Sequence, residues 1–141
     1  MFEKILLPVD LSHEEHISRL IEVAKTLAGQ NKAEVHLLYV DQSLIHRAGY
    51  PHLDEEQYAS HRQVAQQTLD KGLTSLPESL DGFSHCREGT AHDQILEVAK
   101  ELGVDAIALM AKKPGMSSYF IGSNAERVVR HASCSVFVIR E

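Results

Sequence analysis

The sequence is poor in cysteine and tryptophan and has no long apolar run. It contains two cysteines, Cys86 and Cys134, and no tryptophan among 141 residues. The cysteines are far apart and match no metal-ligand spacing, so we expect two buried, unreactive thiols. No stretch approaches the roughly 20 apolar residues that a membrane-spanning helix needs. These absences argue against a membrane-spanning protein and favour a reducing cytoplasm.

Positive charge is also scarce. The chain has 14 Lys and Arg against 20 Asp and Glu, which gives a net charge of -6. This balance argues against nucleic acid or an anionic membrane as the main partner, so a bound polyanion must be small and held by local geometry. Residues 1–10 carry too short an apolar run for a signal peptide and predict a strand instead. We therefore expect a cytoplasmic protein.

Motifs of common catalytic chemistry are absent as well. The sequence contains no nucleophile elbow, no P-loop lysine motif and no carboxylate pair arranged for acid–base chemistry. It has nine histidines, but no H-E-x-x-H signature surrounds His13 and His16, and we expect no metal site. Fast enzymatic turnover is therefore not expected, and slow ATP hydrolysis is the most that the sequence allows.

What is present is a regular alternation of short apolar runs and helical patterns. It predicts an α/β fold in one domain over residues 1–141, with a parallel sheet covered by helices on both faces. The third strand is the most polar, which predicts a place near a sheet edge. Ser12 with Glu15 predicts the cap of the first helix, and Thr90 the cap of the third. The apolar stripe predicted for the second helix, 54–76, consists of Tyr58, Val64, Ala65 and Leu69.

The segment 110–125 is the most informative part of the chain. It follows the fourth predicted strand, holds a long connection, and ends where Gly122-Ser123-Asn124 opens a helix. Long connections in compact domains are usually functional, and a helix start attracts anions, so this segment predicts a phosphate site. Alternatively, Ser123 with Glu126 is only a capping box.

Ligands of open parallel sheets bind beyond the carboxyl ends of the strands, where the strand order reverses. Asp10 ends the first predicted strand and Met110 the fourth, so both are expected to form walls of a site. Asp10 in that place can accept from a ribose hydroxyl or an adenine amine, or help to hold Mg²⁺. Its alternative role is that of a turn residue bonded to its own backbone.

Over nearly its whole length the chain resembles the universal stress protein family. The matching segments are K-I-L-L-P-V-D at 4–10, H-L-L-Y-V at 36–40, E-G-T-A-H-D-Q-I at 88–95, E-L-G-V-D-A-I-A-L at 101–109, and I-G-S-N-A-E-R-V-V-R-H-A-S-C-S-V-F-V-I-R at 121–140. The resemblance implies a Rossmann-like, adenine nucleotide alpha hydrolase-like fold with strand order 3-2-1-4-5. It also implies a bacterial or archaeal cytoplasmic protein that forms homodimers through its last strand.

Many members of that family bind ATP through the pattern G-x-x-G followed, after a spacer, by G-[S/T]. The resemblance implies that Pro8, Val9, Asp10 and Val40 surround the adenosine and that Gly122, Ser123 and Asn124 hold phosphates, with Mg²⁺ as a possible companion. The pattern is incomplete, because its first glycine falls on Met110 and its second on Lys113 or Gly115. Lys112 and Lys113 can compensate by charge.

The last predicted strand carries Val136, Phe137, Val138 and Ile139, which are apolar on both faces. An exposed edge of this kind pairs readily with a second copy, unless helices cover its faces and the charges of Arg140 and Glu141 blunt it. The sequence thus predicts a cytoplasmic stress-response homodimer regulated by ATP or a related adenine nucleotide. Two alternatives are a dimeric scaffold that binds no nucleotide and a slow ATPase or phosphotransferase that uses Asp10 and Mg²⁺.

Overall fold

Strands and helices alternate through the described residues as the sequence predicts. The computed structural model describes residues 1–42, 55–111 and 122–140. The strands are β1 (Lys4–Val9), β2 (Ala33–Asp41), β3 (Leu80–Glu88), β4 (Ala106–Met110) and β5 (Ser135–Ile139), and the α-helices are α1 (Glu15–Ala28), α2 (Glu55–Leu73), α3 (Ala91–Leu102) and α4 (Ser123–His131). Within the described ranges, no helix is both long and apolar enough to cross a membrane.

The strands form one parallel sheet in the order β3-β2-β1-β4-β5, which confirms the order implied by the family resemblance. β1 lies at the centre, where Ile5 pairs with Val35 of β2 and with Ala106 of β4. Ile5, Leu6 and Leu7 are completely buried, because β1 has neighbours at both edges and helices over both faces. This position explains why β1 is a continuous apolar run instead of an alternating one.

The sheet separates two apolar cores. Successive strand residues point to opposite faces, so neighbours in β1 join different cores. Leu7 packs with Ile17 and Leu20 of α1 on one face. Leu6 packs on the other face with Val98 of α3 and Val128 of α4. The prediction of a sheet covered on both faces is therefore confirmed.

The first helix begins later than the sequence predicts. A short 3₁₀ turn over Leu11–His13 precedes α1, which starts at Glu15 with Glu14 at the N-cap and no side-chain capping bond. The carboxylate of Asp10 accepts from the backbone N–H of Ser12 at 2.9 Å and from its hydroxyl at 2.6 Å. Because Glu14 and not Ser12 occupies the N-cap of α1, the predicted Ser12–Glu15 capping box is wrong. Thr90 does occupy the N-cap of α3, but its side chain makes no capping bond.

The apolar face of α2 is also narrower than predicted. Ala65 and Leu69 are completely buried, but Val64 is 57% exposed and is not part of the buried face. The side chain of Tyr58 lies outside the described part of the chain. Gly72 explains how closely α2 approaches α1, because a Cβ atom there would lie 2.5 Å from Cγ2 of buried Ile17. The helix can pack this tightly only because residue 72 has no side chain.

The two thiols are half-buried, not fully buried as the sequence predicts. Cys86 in β3 donates to Oε1 of Gln66 in α2 at 3.5 Å. Burial is the largest influence on both thiols and raises the pKa of Cys86 and of Cys134 above the ordinary value. A raised pKa keeps a thiol protonated and weakly nucleophilic, which agrees with the predicted lack of reactivity.

β3 forms one edge of the sheet, which confirms the position predicted from its polarity. On the face of the sheet that carries α3 and α4, Phe83 is 43% exposed and stacks on the His36 ring at 4.8 Å. Nδ1 of His36 lies 2.9 Å from Nε2 of His85, and Nε2 of His36 lies 3.1 Å from Oε2 of Glu34. Glu34, His36 and His85 thus form a hydrogen-bonded chain across β2 and β3.

This chain predicts a loss of stability in mild acid. Burial, followed by the charges of His36 and Arg87, lowers the pKa of His85 below its ordinary value of 6.5. Because the unfolded chain then binds the proton more tightly, the contribution of His85 is complete above pH 6.5 and is lost as the pH falls from 6.5 through the lower folded-state pKa. We expect His85→Gln to flatten the decline in unfolding free energy, measured by urea titration between pH 7.5 and 5. The matched exposed variant His131→Gln should retain the wild-type slope, and an equal slope in all three proteins would contradict the prediction.

Candidate functional site

A cleft of about 750 Å³ opens at the carboxyl edge of the sheet, above the ends of β1, β2 and β4. The connection after β1 leads to β2 on one side of β1, and the connection before β4 brings the chain to the other side of β1. The strand order therefore reverses at the end of β1. The two sides diverge at such a point and leave a crevice between the connections. Its position is the one predicted from the sequence.

Most of the predicted site residues meet in this cleft. The described residues that line it and were expected there are Pro8, Val9, Asp10, Val40, Met110, Gly122, Ser123 and Asn124. They come from the ends of three strands and the start of one helix. The first and the last of them, Pro8 and Asn124, are more than a hundred positions apart in the sequence. Lys112, Lys113 and Gly115, also predicted for the site, lie outside the described residues.

Asp10 has the predicted turn role and also lies in the cleft, where its role toward a ligand stays a prediction. It forms the turn after β1 by bonding Ser12, and it also faces the cleft. Burial raises the pKa of Asp10, but the two hydrogen bonds from Ser12 and the nearby His13 and His16 together outweigh it, so that the pKa lies below its ordinary value. At neutral pH the side chain is therefore an ionised acceptor that its own turn holds in place.

The start of α4 forms another wall. α4 begins at Ser123, and Gly122 occupies the N-cap with no side-chain capping bond. Ser123 is therefore the first residue inside the helix, and the predicted Ser123–Glu126 capping box is wrong. Gly122 has φ 101° and ψ 147°, a combination that residues with a Cβ rarely adopt. The N–H groups of the first helical turn have no carbonyl partner within the helix and are available to an acceptor in the cleft.

Met110 takes the place of the first glycine of the nucleotide pattern without filling the cleft. Its half-buried side chain packs against the core that α1 and α2 cover, and it also contributes to the cleft wall. Leu109, the residue before it, belongs to the opposite core and lines the cleft as well. The end of β4 thus gives the cleft an apolar wall.

One side of the cleft carries a group of aromatic and imidazole side chains that the sequence did not assign to the site. His13 and His16 lie there with ring centroids 5.0 Å apart. The Tyr39 hydroxyl, which also lines the cleft, lies 2.8 Å from Nε2 of His61 in α2. Tyr39 is the residue before Val40 at the end of β2, so its position was readable. His61 was not, because only the packing of α2 brings it to this place.

The phenol of Tyr39 remains neutral. Burial is the largest influence and, with the charges of Asp41, Cys86 and Asp10, raises the pKa of Tyr39 to about 12. A neutral phenol can donate to His61 or to a bound ligand. Among the described residues, no group of three or more His, Cys, Asp and Glu side chains is arranged to hold a metal ion.

β5 occupies the edge of the sheet opposite β3. Val136, Phe137, Val138 and Ile139 pair with Ile107, Ala108, Leu109 and Met110 of β4. All four are half-buried. The predicted edge strand is therefore present, with its apolar side chains only partly covered by the described residues of the chain.

An open parallel sheet with helices on both faces and a cleft at the reversal of strand order defines a doubly wound α/β protein. The model of the universal stress protein family matches residues 1–140, and the chain belongs to this family.

Two relatives match along nearly their whole length. The chain is 32% identical over 145 residues to universal stress protein G of Shigella flexneri, covering 99% of this chain and 100% of the relative. It is 31% identical over 144 residues to a universal stress protein of Methanothermobacter thermautotrophicus, covering 99% of this chain and 97% of the relative.

Solved structures of the family share the fold. A universal stress protein from Lactobacillus plantarum has a TM-score of 0.68 at 24% identity, covering 98% of this chain and 97% of the other. A universal stress protein in complex with cAMP has a TM-score of 0.66 at 14% identity, covering 99% and 97%. A family member from Archaeoglobus fulgidus in complex with dAMP has a TM-score of 0.62 at 19% identity, covering 97% of each chain. At these identities the likeness concerns the fold.

Proposed function

We propose that this protein binds ATP or a related adenine nucleotide in the cleft and acts as a regulatory homodimer in a cytoplasmic stress response. One observation carries the proposal. The ends of β1, β2 and β4 and the start of α4, which sequence reasoning assigned to a nucleotide, line a single cleft of about 750 Å³. Family members that bind cAMP and dAMP support an adenine nucleotide as the ligand.

The adenosine part of the ligand fits the strand ends. Pro8, Val9 and Val40 give an apolar surface for the base, which is the kind of lining that small-molecule pockets use for most of their contact. Asp10 is an ionised acceptor at the same place and can receive a hydrogen bond from a ribose hydroxyl or the adenine amine. These groups would recognise adenosine without reference to its phosphates.

The phosphates fit the start of α4. Gly122 and Ser123 line the cleft at the positive end of the helix dipole, where backbone N–H groups and the Ser123 hydroxyl would donate to phosphate oxygens. Mg²⁺ would reduce the repulsion between the phosphates and the carboxylates of the cleft, and Lys112 and Lys113 would add positive charge. We propose the magnesium complex of ATP as the preferred form.

A homodimer through β5 and a single domain over residues 1–141 complete the proposal. β5 is an edge strand with half-buried apolar side chains, and pairing with a second copy would satisfy its open backbone groups. Regulation would then proceed through the state of the bound nucleotide and not through rapid turnover, since no activated nucleophile is identifiable at Asp10 or elsewhere among the described residues.

A scaffold that binds no nucleotide is the second candidate, and Met110 is the observation that favours it. A methionine replaces the glycine that would let a phosphate approach the backbone closely. In that case the cleft would have only a structural role, and recognition of protein partners would depend on the dimer and its surface.

Calorimetric titration with ATP and Mg²⁺ separates the two candidates. We expect a dissociation constant in the micromolar range, weaker binding of AMP, and a thermal shift that grows with ATP concentration. GTP serves as the control, because Asp10 and the apolar strand ends are expected to distinguish the bases. No heat and no thermal shift at millimolar ATP would refute the nucleotide proposal and favour the scaffold.

A further inference from the structure

The described lining of the cleft is acidic. It carries the carboxylates of Asp10 and Asp41, and no lysine or arginine is among the described residues that line it. A nucleotide brings several further negative charges into this setting. Backbone N–H groups and a helix dipole provide only partial charges, so a full positive charge at the rim would strengthen polyphosphate binding beyond what the proposed Mg²⁺ and lysines supply.

Arg127 does not line the cleft, but its place on α4 brings it close to the rim. It lies one helical turn after Ser123 and Asn124, which both line the cleft, and side chains of a helix lean toward its N-terminus. Its Nη1 atom lies 3.1 Å from Nε2 of His92. His92 is the second residue of α3, directly after Ala91, which also lines the cleft. The guanidinium group therefore lies between the starts of α3 and α4.

The bonding of Arg127 leaves most of its donors available. An arginine is always protonated, so it donates and Nε2 of His92 accepts, which uses one of its five N–H groups. Within the described ranges, Arg127 has no carboxylate partner at salt-bridge distance. Arg130, one turn further along α4, is by contrast paired with Glu126 at 3.0 Å.

One carboxylate already lies close to the guanidinium, because Oδ1 of Asp93 is 3.2 Å from Nε2 of His92, the atom that bonds Arg127. Two helices present their positive ends near the guanidinium, and Asp93 in the first turn of α3 offsets this only in part. A phosphate at the start of α4 would meet both the helix N–H groups and the guanidinium, whose planar fork matches phosphate oxygens.

We propose that Arg127 is a specificity-determining residue that recognises the phosphates of the bound nucleotide, which rests on the nucleotide site proposed above. His92 holds the guanidinium at the rim, and Arg127 makes the cleft prefer phosphorylated adenosine over adenosine itself. The base and ribose contacts at Asp10 and the strand ends are independent of it.

The test titrates ATP, AMP and adenosine into wild-type protein, Arg127→Gln and the matched control Arg130→Gln. Arg127→Gln should weaken ATP and AMP binding about tenfold, as expected for the loss of one charge-assisted hydrogen bond. Adenosine binding should not change. Arg130→Gln removes the same charge from the same helix and should bind all three ligands as the wild type does.

Each outcome supports or overturns the inference. Equal losses in the two variants would attribute the effect to the general charge of α4, and an equal loss for adenosine would attribute it to a distorted cleft. Unchanged ATP binding by Arg127→Gln, with wild-type binding intact, overturns the inference and leaves the nucleotide site standing. If wild-type protein binds adenosine and none of its phosphates more tightly, the phosphate recognition is wrong, and absence of all binding overturns the nucleotide proposal as well.

Discussion

Replacing Gly122 by valine is expected to weaken ATP binding by on the order of 100-fold, because strain of about 1–3 kcal/mol per residue must be relieved at that position. Gly122 has φ 101° and ψ 147° at the N-cap of α4. A β-branched residue is nearly excluded from this region. The backbone around residue 122 would therefore relax and move the first N–H groups of α4 away from the cleft.

The matched control is Gly103→Ala. Gly103 also has a positive φ, 67°, but it follows α3 just before β4 begins, at the end of the sheet away from the cleft, and a Cβ atom there would meet no heavy atom within 4 Å. This variant should lose roughly 1–2 kcal/mol of unfolding free energy from backbone strain and keep its affinity for ATP. Comparing calorimetric affinities and urea midpoints of the two variants separates a local effect on the site from a general loss of stability.

Two results would contradict this assignment. Full ATP affinity in Gly122→Val would exclude the start of α4 as the phosphate site. An unchanged affinity for adenosine together with lost affinity for ATP is the expected pattern, so equal loss of both would indicate that the cleft as a whole has changed shape.

Replacing Val138 by proline is expected to convert the proposed dimer to monomers. The backbone N–H of Ala111 donates to the carbonyl of Ile139 at 2.7 Å, so Ile139 directs its polar groups toward β4. Backbone groups of successive strand residues point to opposite edges, so those of Val138 point to the open edge. Proline there removes an edge donor and leaves the pairing of β5 with β4 intact.

The effect should be large because symmetry repeats it. In a twofold dimer both copies lose the same donor, and each orphaned partner costs about 1–3 kcal/mol, which together corresponds to a dissociation constant raised on the order of 100-fold or more. Sedimentation equilibrium at micromolar concentration measures the change. Val138→Thr is the control, since it keeps both the β-branched shape and the N–H group and should remain dimeric.

A wild-type protein that sediments as a monomer would contradict the dimer directly. A Val138→Pro variant that stays dimeric would exclude β5 pairing and direct attention to the opposite edge, where β3 exposes Phe83. Thermal unfolding of Val138→Pro, compared with that of the wild type at equal protein concentration, shows whether the β4–β5 pairing survives the substitution.

The fold was readable because each element depends on local pattern. β1 is apolar without interruption since it is buried on both faces, and the stripes of α1 and α3 repeat at helical spacing around Leu20 and Val98. The strand order came from the resemblance to a family and not from periodicity. Two predicted helix caps were wrong, since Ser12 and Ser123 have the right chemistry for caps but Glu14 and Gly122 occupy the N-cap positions.

Only one side of the site could be predicted from the sequence, and the reason is physical. Asp10 and Met110 could be assigned because all carboxyl ends of a parallel sheet meet at one edge, whereas Val40 came from the resemblance to a family. The opposite wall could not, because His16 and His61 reach the cleft through the angle at which α1 and α2 pack on the sheet. That angle depends on side-chain interlocking, for example of Gly72 with Ile17, and leaves no periodic signal in the sequence.

The sequence by itself therefore determined which segments become strands and helices and which strand ends form the cleft. Both follow from local features, because burial on both faces requires a continuous apolar run and parallel strands require long connections. Only the tertiary structure decided which residues that are distant in the sequence contact one another. It placed His92 against Arg127, Tyr39 against His61 and His36 against His85, pairs separated by 35, 22 and 49 positions. Such contacts depend on the register of strands and the rotation of helices, which many residues set together and no single motif encodes.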